Sequence, residues 1–178
     1  MKKRIIFALL FALLNLQACL TASDNTVEGK RITLSELKAL PITSEIQSVL
    51  EEEIGEAMLM DMNFDGNDEL IIRTSIDLLI CERIENEFEI VYSGTYSVIL
   101  ENGMIQYHRP GGAPLHDDYM FFVYEQNEYK EKVSLSRYDE NEDGQYDEQD
   151  VYFLNDSKVT MGEWNASLQL YQKYDEIF

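Results

Sequence analysis

Apolar residues along this chain follow two periods, and the changes between them mark out its elements. Ile46, Val49, Leu50 and Ile54 recur three and four apart with acids on the opposite side, which predicts a helix over Ser44 to Glu53. A shorter helix precedes it. Thr33-Leu34-Ser35-Glu36 has the spacing at which an N-cap hydroxyl and a glutamate satisfy each other's backbone N–H, and Pro41 must end that helix. After Gly55 the period falls to that of strands: Ala57 to Met60, Leu70 to Thr74, Leu78 to Ile84 and Phe88 to Tyr92 are short apolar runs, the last two joined across Glu85-Asn86 as a hairpin. Asn102-Gly103 predicts a type I′ turn between Tyr96 to Leu100 and Met104 to Tyr107, since both residue types accept positive φ. Tyr119 to Tyr124 and Val133 to Tyr138 flank Gln126-Asn127. Thr160 to Glu163 repeats the capping-box spacing ahead of Trp164, Leu168 and Tyr171, a predicted C-terminal helix. The expected fold is mainly β, an antiparallel meander with N-terminal helices and a C-terminal helix.

The start of the chain obeys a different logic. Lys2, Lys3 and Arg4 precede the unbroken apolar run Ile5 to Leu14, which is too short to span a bilayer and has the layout of an export signal. Leu16-Gln17-Ala18-Cys19 follows and resembles the lipobox of bacterial lipoproteins. The resemblance implies cleavage after Ala18, a lipid on the Cys19 sulfur, and attachment to the membrane through that anchor in the cell envelope. Leu20 stands where an Asp would hold the protein at the inner membrane, so the outer membrane is favoured in a cell that has two. An ordinary secretory peptide with a chance Cys is the alternative. The expected organisation is a signal peptide over residues 1–18, a lipidated Cys and flexible tether over 19–31, and one β-rich domain over 32–178.

Charge then narrows the partners. The formal net charge is −20, with 34 Asp and Glu against 14 Lys and Arg, and loss of the three basic residues before the apolar run takes it to −23. A surface of that sign repels nucleic acid and anionic lipid head groups alike. Of the two cysteines, Cys19 is assigned to the lipid, which leaves Cys81 alone in the run Leu78-Leu79-Ile80-Cys81 as a small buried hydrophobe without a disulfide partner.

The acids are not evenly spread. Asp61-Met62-Asn63-Phe64-Asp65-Gly66-Asn67-Asp68-Glu69 places side-chain oxygens at positions one, three, five and nine and Gly at six, the pattern by which alternate residues converge on a calcium-sized ion. Asp61, Asn63, Asp65 and Glu69 are the expected side-chain ligands, with the Asn67 carbonyl as a fifth. Position twelve is Ile72, so the bidentate carboxylate of an EF-hand is missing and the strand-like flanks argue against helix-loop-helix. Asp139-Glu140-Asn141-Glu142-Asp143-Gly144 repeats the arrangement, with Asp147 at position nine and Asp150 at twelve. Its expected ligands are Asp139, Asn141, Asp143, Asp147 and Asp150, with the Gln145 carbonyl. Seven carboxylates in these twelve residues repel one another unless a counter-charge is bound. One or two calcium ions are expected; a solvated acidic turn is the alternative for each loop.

The first loop, the strand after it and the Tyr-rich meander beyond it resemble the FG-GAP-type calcium loops of exported bacterial proteins with a vestigial β-propeller domain. The resemblance implies a propeller-like β fold and calcium binding. One branch of that family inhibits lysozyme-like effectors, which together with the acidic charge implies a cationic cell-wall hydrolase as a possible protein partner.

Motifs of catalysis are missing: no G-x-S-x-G, H-E-x-x-H or C-x-x-C occurs. His108 and His116 bracket a Pro/Gly-rich stretch and are expected in a surface loop. The chain reads as a non-catalytic calcium-binding lipoprotein acting by protein–protein interaction, with an inhibitor or immunity protein against a cell-wall hydrolase, and a carbohydrate-active enzyme, as alternatives. Cys19→Ser is expected to release the protein from membranes or stop its processing, read as a shift from the detergent to the aqueous phase on partitioning.

Overall fold

Leu70, Ile71 and Ile72 are all fully buried, so consecutive residues, on opposite faces of one strand, both meet apolar partners. The strand that carries them is the centre of a five-stranded antiparallel sheet in the order β1 (Gly29–Ile32), β2 (Ile54–Met60), β3 (Glu69–Thr74), β4 (Asp77–Ile84), β5 (Glu87–Thr95). A computed structural model describes residues 26–51, 54–112, 115–125 and 128–178. The signal segment, Ala18, Cys19 and the Gln126-Asn127 turn lie outside the described residues.

One face of this sheet is closed by helices α1 (Leu34–Ala39) and α2 (Ser44–Val49). Leu37 and Ile46 pack there on Leu70, Ile72, Leu79, Cys81 and Phe88. The other face packs Met58, Met60, Ile71, Leu78 and Ile80 against Ile99 and Ile105 of a second sheet. That sheet is six-stranded and antiparallel: β6 (Ser97–Ile99), β7 (Ile105–Pro110), β8 (His116–Glu125), β9 (Glu128–Tyr138), β10 (Val151–Leu154) and β11 (Ser157–Val159) are neighbours in sequence order. Helix α3 (Met161–Tyr171) covers its far face, with Trp164, Leu168 and Tyr171 against Tyr119, Phe121, Val133, Leu135 and Tyr152. The mainly β meander with helical ends is therefore what the chain adopts. Among the described residues no helix is long and apolar enough to cross a membrane.

Both capping boxes form. Glu36 N–H donates to Thr33 Oγ1 at 3.3 Å and Thr33 N–H to Glu36 Oε2 at 2.7 Å, and Thr160 and Glu163 repeat the exchange at 3.2 and 2.9 Å.

Four expectations need correction. The second helix stops at Val49, residues 52–53 of its expected span lie outside the described residues, and Ile54 pairs with Thr74 in β2, because ladder hydrogen bonds and sheet packing outweigh one more turn of local periodicity. Residues 27–31 are no flexible tether: Val27 is buried, its N–H donates to the Glu101 carbonyl at 2.7 Å, and Gly29–Ile32 pairs with β2; residues 19–25 lie outside the described residues. The Asn102-Gly103 turn is not type I′. Gly103 has φ +77° but Asn102 is not in the positive region. Gly103 N–H donates to Leu100 O and Leu100 N–H to Met104 O, the pattern of a three-residue loop ending in a left-handed glycine. The type I′ turn lies instead at Asn155-Asp156, with φ of 47° and 62° between the paired residues Leu154 and Ser157. Fourth, His108 and His116 stand on strands β7 and β8 themselves and not in a loop.

Gly103 also carries a packing constraint, since a Cβ there would lie 2.6 Å from the Met62 carbonyl oxygen. Gly66 and Gly144, at φ +88° and +82°, have open space instead. Gly66→Ala and Gly144→Ala should each cost about 1–2 kcal/mol through backbone strain alone. Gly103→Ala should cost more than either, measured by urea denaturation.

Candidate metal centre

Met60 pairs with Glu69, so the first acidic loop is the β2–β3 connection, while Tyr138 pairs with Val151 and the second is the β9–β10 connection. Both are built on one hydrogen-bond frame. In the first, Asp61 Oδ1 accepts from Asp65 N–H at 3.0 Å and Oδ2 from Gly66 N–H at 2.9 Å. Asn63 Oδ1 accepts from Asp65 N–H at 3.0 Å, and Asp65 Oδ1 from Asn67 N–H at 2.8 Å. In the second, Asp139 Oδ1 and Oδ2 accept from Asp143 and Gly144 N–H at 3.2 and 2.8 Å. Asn141 Oδ1 accepts from Asp143 N–H at 3.0 Å, and Asp143 Oδ1 from Gln145 N–H at 2.9 Å. The fourth residue of each loop is left-handed, Phe64 at φ +60° and Glu142 at +58°, as are the two glycines. The shared sequence pattern is thus a shared conformation.

The loops differ in how they close. Glu69 Oε2 accepts from Met62 N–H, the second loop residue, at 2.6 Å, and its equivalent in the longer loop is Asp150, whose Oδ1 accepts from Glu140 N–H at 3.0 Å. Both closing carboxylates are buried, at 3% and 7% exposure. Counting along the sequence pairs Glu69 with Asp147; the fold pairs it with Asp150. Asp147 accepts from Gln149 N–H and donates its own N–H to Asp150 Oδ2. The carboxylate apparently missing from position twelve of the first loop is therefore supplied three residues early, at the head of β3, and Ile72 is free to fill the core.

Electrostatics set the first site apart. Glu69 lies across from Glu82 in the β3–β4 register, next to the paired Leu70 and Cys81. Burial, opposed by the Met62 N–H and reinforced by Glu82, Asp65 and Asp61, pushes its carboxyl up to about 7. Asn63 Nδ2 donates to Glu69 Oε1 at 2.9 Å, and the Tyr124 hydroxyl of β8 reaches both Glu82 and Asn63, which ties the loop to the second sheet. Desolvation, then Glu82, pushes that hydroxyl up to about 12. Glu82 Oε1 is buried without a hydrogen-bond partner among the described residues.

The oxygen-only donor sets suit a hard cation of calcium's size better than a transition metal. Among the described residues, however, no group of three or more His, Cys, Asp or Glu side chains forms a metal-holding cluster. The loops present the donors with their carboxylates turned to backbone N–H groups. A cation would be held by drawing Asp61, Asn63, Asp65 and Glu69, or Asp139, Asn141, Asp143 and Asp150, further inward.

The histidines stand in two separate clusters, on opposite faces of the second sheet. His116 Nε2 lies 3.2 Å from Asp118 Oδ2 and 3.0 Å from an Arg109 nitrogen, and its ring stacks on Tyr138. His108 stacks on Tyr119 at 4.0 Å, with Nε2 3.6 Å from Asp117 Oδ1. Asp117 is held by Arg137. Nothing in the sequence spacing revealed these clusters, because β-pairing of β7, β8 and β9 creates them. Cys81 is fully buried, and desolvation pushes its thiol up to about 12, which makes it inert as a nucleophile at neutral pH.

Against protein-family models, curated proteins and solved structures, the chain gives no significant match.

A carboxyl raised to about 7 in the fold, against 4.5 without it, favours folding fully below pH 4.5, and that contribution is lost as the pH rises through 7. In chelator, Glu69→Gln should flatten the fall in stability between pH 5 and pH 8 by roughly 1–3 kcal/mol, followed as melting temperature against pH.

Proposed function

We propose that this chain is a lipid-anchored module of the bacterial cell envelope that binds calcium at its two acidic loops and acts by protein–protein interaction without catalysis. The observation that carries the reading is the recurrence of one frame, side-chain oxygens at loop positions one, three and five over two left-handed residues, at two places in one chain. A solvated turn needs no such repetition, and no such set of buried closing carboxylates. Each loop joins two adjacent strands, so a cation there clamps a strand pair. Calcium stabilises the fold by its preference for the folded state, about 2.7 kcal/mol at a hundred times its dissociation constant.

The envelope location rests on the lipobox resemblance at Leu16 to Cys19 and on the export signal before it. The partner proposed is a cationic protein, a cell-wall hydrolase being the class that fits a formal charge of −20. Capture of a muramidase with loss of its activity would mark this protein as an inhibitor.

Calcium should raise the melting temperature well beyond sodium chloride of equal ionic strength. Asp61→Ala/Asp65→Ala should blunt that rise more than Asp139→Ala/Asp143→Ala, since the first loop abuts the core of both sheets through Met62. Equal shifts with calcium and with sodium chloride would refute the calcium reading.

A further inference from the structure

Every second side chain of a strand leaves the sheet on the same face, and directly paired residues share a face. In the second sheet Tyr119, Phe121, Leu135 and Tyr152 turn to α3, while Ile105 and Phe122 turn the other way and meet the first sheet. Further along that other face the register pairs Arg109 with Asp118, His116 with Tyr138, and Phe153 with Lys158. Tyr138 and Phe153 belong to none of the three hydrophobic clusters, and Tyr138 is 42% exposed. The first sheet therefore covers one end of this face and leaves the other end to solvent.

The side chains at the open end touch one another. The His116 ring lies within 10° of parallel to Tyr138 at 5.6 Å between centres, and Phe153 stands at 82° to Tyr138, 6.1 Å away. An Arg109 nitrogen lies 3.0 Å from both His116 Nε2 and Asp118 Oδ2, and His116 Nε2 lies 3.2 Å from the same carboxylate oxygen. Ser136 pairs with Asp118 on one side and Phe153 on the other, which puts a short side chain between the polar group and the rings.

An exposed ring offers an apolar surface, and Arg109, His116 and Asp118 offer hydrogen-bonding groups whose directions their mutual contacts hold. The formal charges among these paired residues are Arg109 and Lys158 against Asp118, on a chain of net charge −20. Nothing at this end draws in a cation, and the chain as a whole repels polyanions, so charge complementarity points to an uncharged ligand. A pyranose meets these conditions: one face is lined with C–H groups, the rim carries hydroxyls that both donate and accept, and the ring has no charge. We propose that this end of the second sheet is a binding platform for a neutral saccharide chain, with Tyr138 under a sugar ring, Phe153 beside it, and Arg109 and Asp118 at its hydroxyls. None of the acidic-loop ligands takes part, so the platform stands or falls apart from the calcium reading.

Calorimetric titration of the full chain with soluble hexasaccharides of chitin, of cellulose and of starch tests this. At least one is expected to bind saturably. Tyr138→Ala is expected to weaken that binding about tenfold, as truncation of a central aromatic anchor does. Tyr138→Phe keeps it, because the ring makes the contact. Arg109→Gln changes a side chain that is 51% exposed, so it is expected to weaken binding while the melting temperature holds, which separates loss of the site from loss of the fold. Phe64→Ala removes an exposed ring from the first acidic loop and leaves binding unchanged. No binding of any of the three at about 1 mM, or an affinity indifferent to both Tyr138→Ala and Arg109→Gln, overturns the platform. A dimer in sedimentation that Tyr138→Ala dissociates, with no saccharide bound, assigns the face to a second copy and overturns it too.

Discussion

Where a strand gives way to a loop, the backbone N–H groups lose their ladder partners and must find others. Between Met60 and Glu69, and again between Tyr138 and Val151, those partners are carboxylate and amide oxygens of the loop itself. The requirement explains why Asp61 and Asp139 stand directly after a strand: one carboxylate there meets the N–H groups four and five residues on. It also explains the left-handed residues at the fourth and sixth positions, which turn those N–H groups inward. Negative charge is in this way concentrated at strand ends as a condition of the turn.

That concentration is costly where the loop meets the core. Glu69 is both the last residue of the loop's hydrogen-bond frame and the first residue of the central strand β3, so it is buried by the sheet and crowded by the loop's other acids. Its neighbour across the strand pair is another glutamate. The fold offsets part of the cost with the Met62 N–H, the Asn63 amide and the Tyr124 hydroxyl. The second loop solves the problem differently. It is longer, its closing carboxylate precedes a short strand nearer the periphery, and an arginine fixed on the sheet meets its one aromatic ring.

The two sheets make these local solutions cooperative. Met62 of the first loop is buried with Ile99 and Ile105 of the second sheet, and Gly103 touches the Met62 carbonyl because no side chain intervenes. Val27 enters the same cluster from the segment before β1. The first loop is therefore built into the interface between the sheets, whereas the second meets the helix-covered face, where Tyr146 lies on Arg137 and Arg137 on Trp164.

Period and turn chemistry made much of the fold legible in advance. The capping boxes at Thr33 and Thr160 are local arrangements that need nothing beyond four residues, and the apolar runs of β3 and β4 are long enough to declare strands. The two acidic loops were legible for the same reason, since their spacing is that of a chain converging on one point. What tertiary structure alone decided depends on residues far apart in sequence. Val27 to Arg31 is polar enough to read as tether, yet one buried valine and a ladder to β2 bring it into the sheet. The equivalence of Glu69 and Asp150 is invisible to counting, because loops of different length reach the same N–H group from different positions. His108, Asp117 and Arg137 lie on three strands, and only the antiparallel register of β7, β8 and β9 makes them neighbours. Local composition determines how each segment bends and caps; which charges end up facing one another is settled by pairing at a distance, where backbone hydrogen bonding and burial outweigh any preference that a single segment carries.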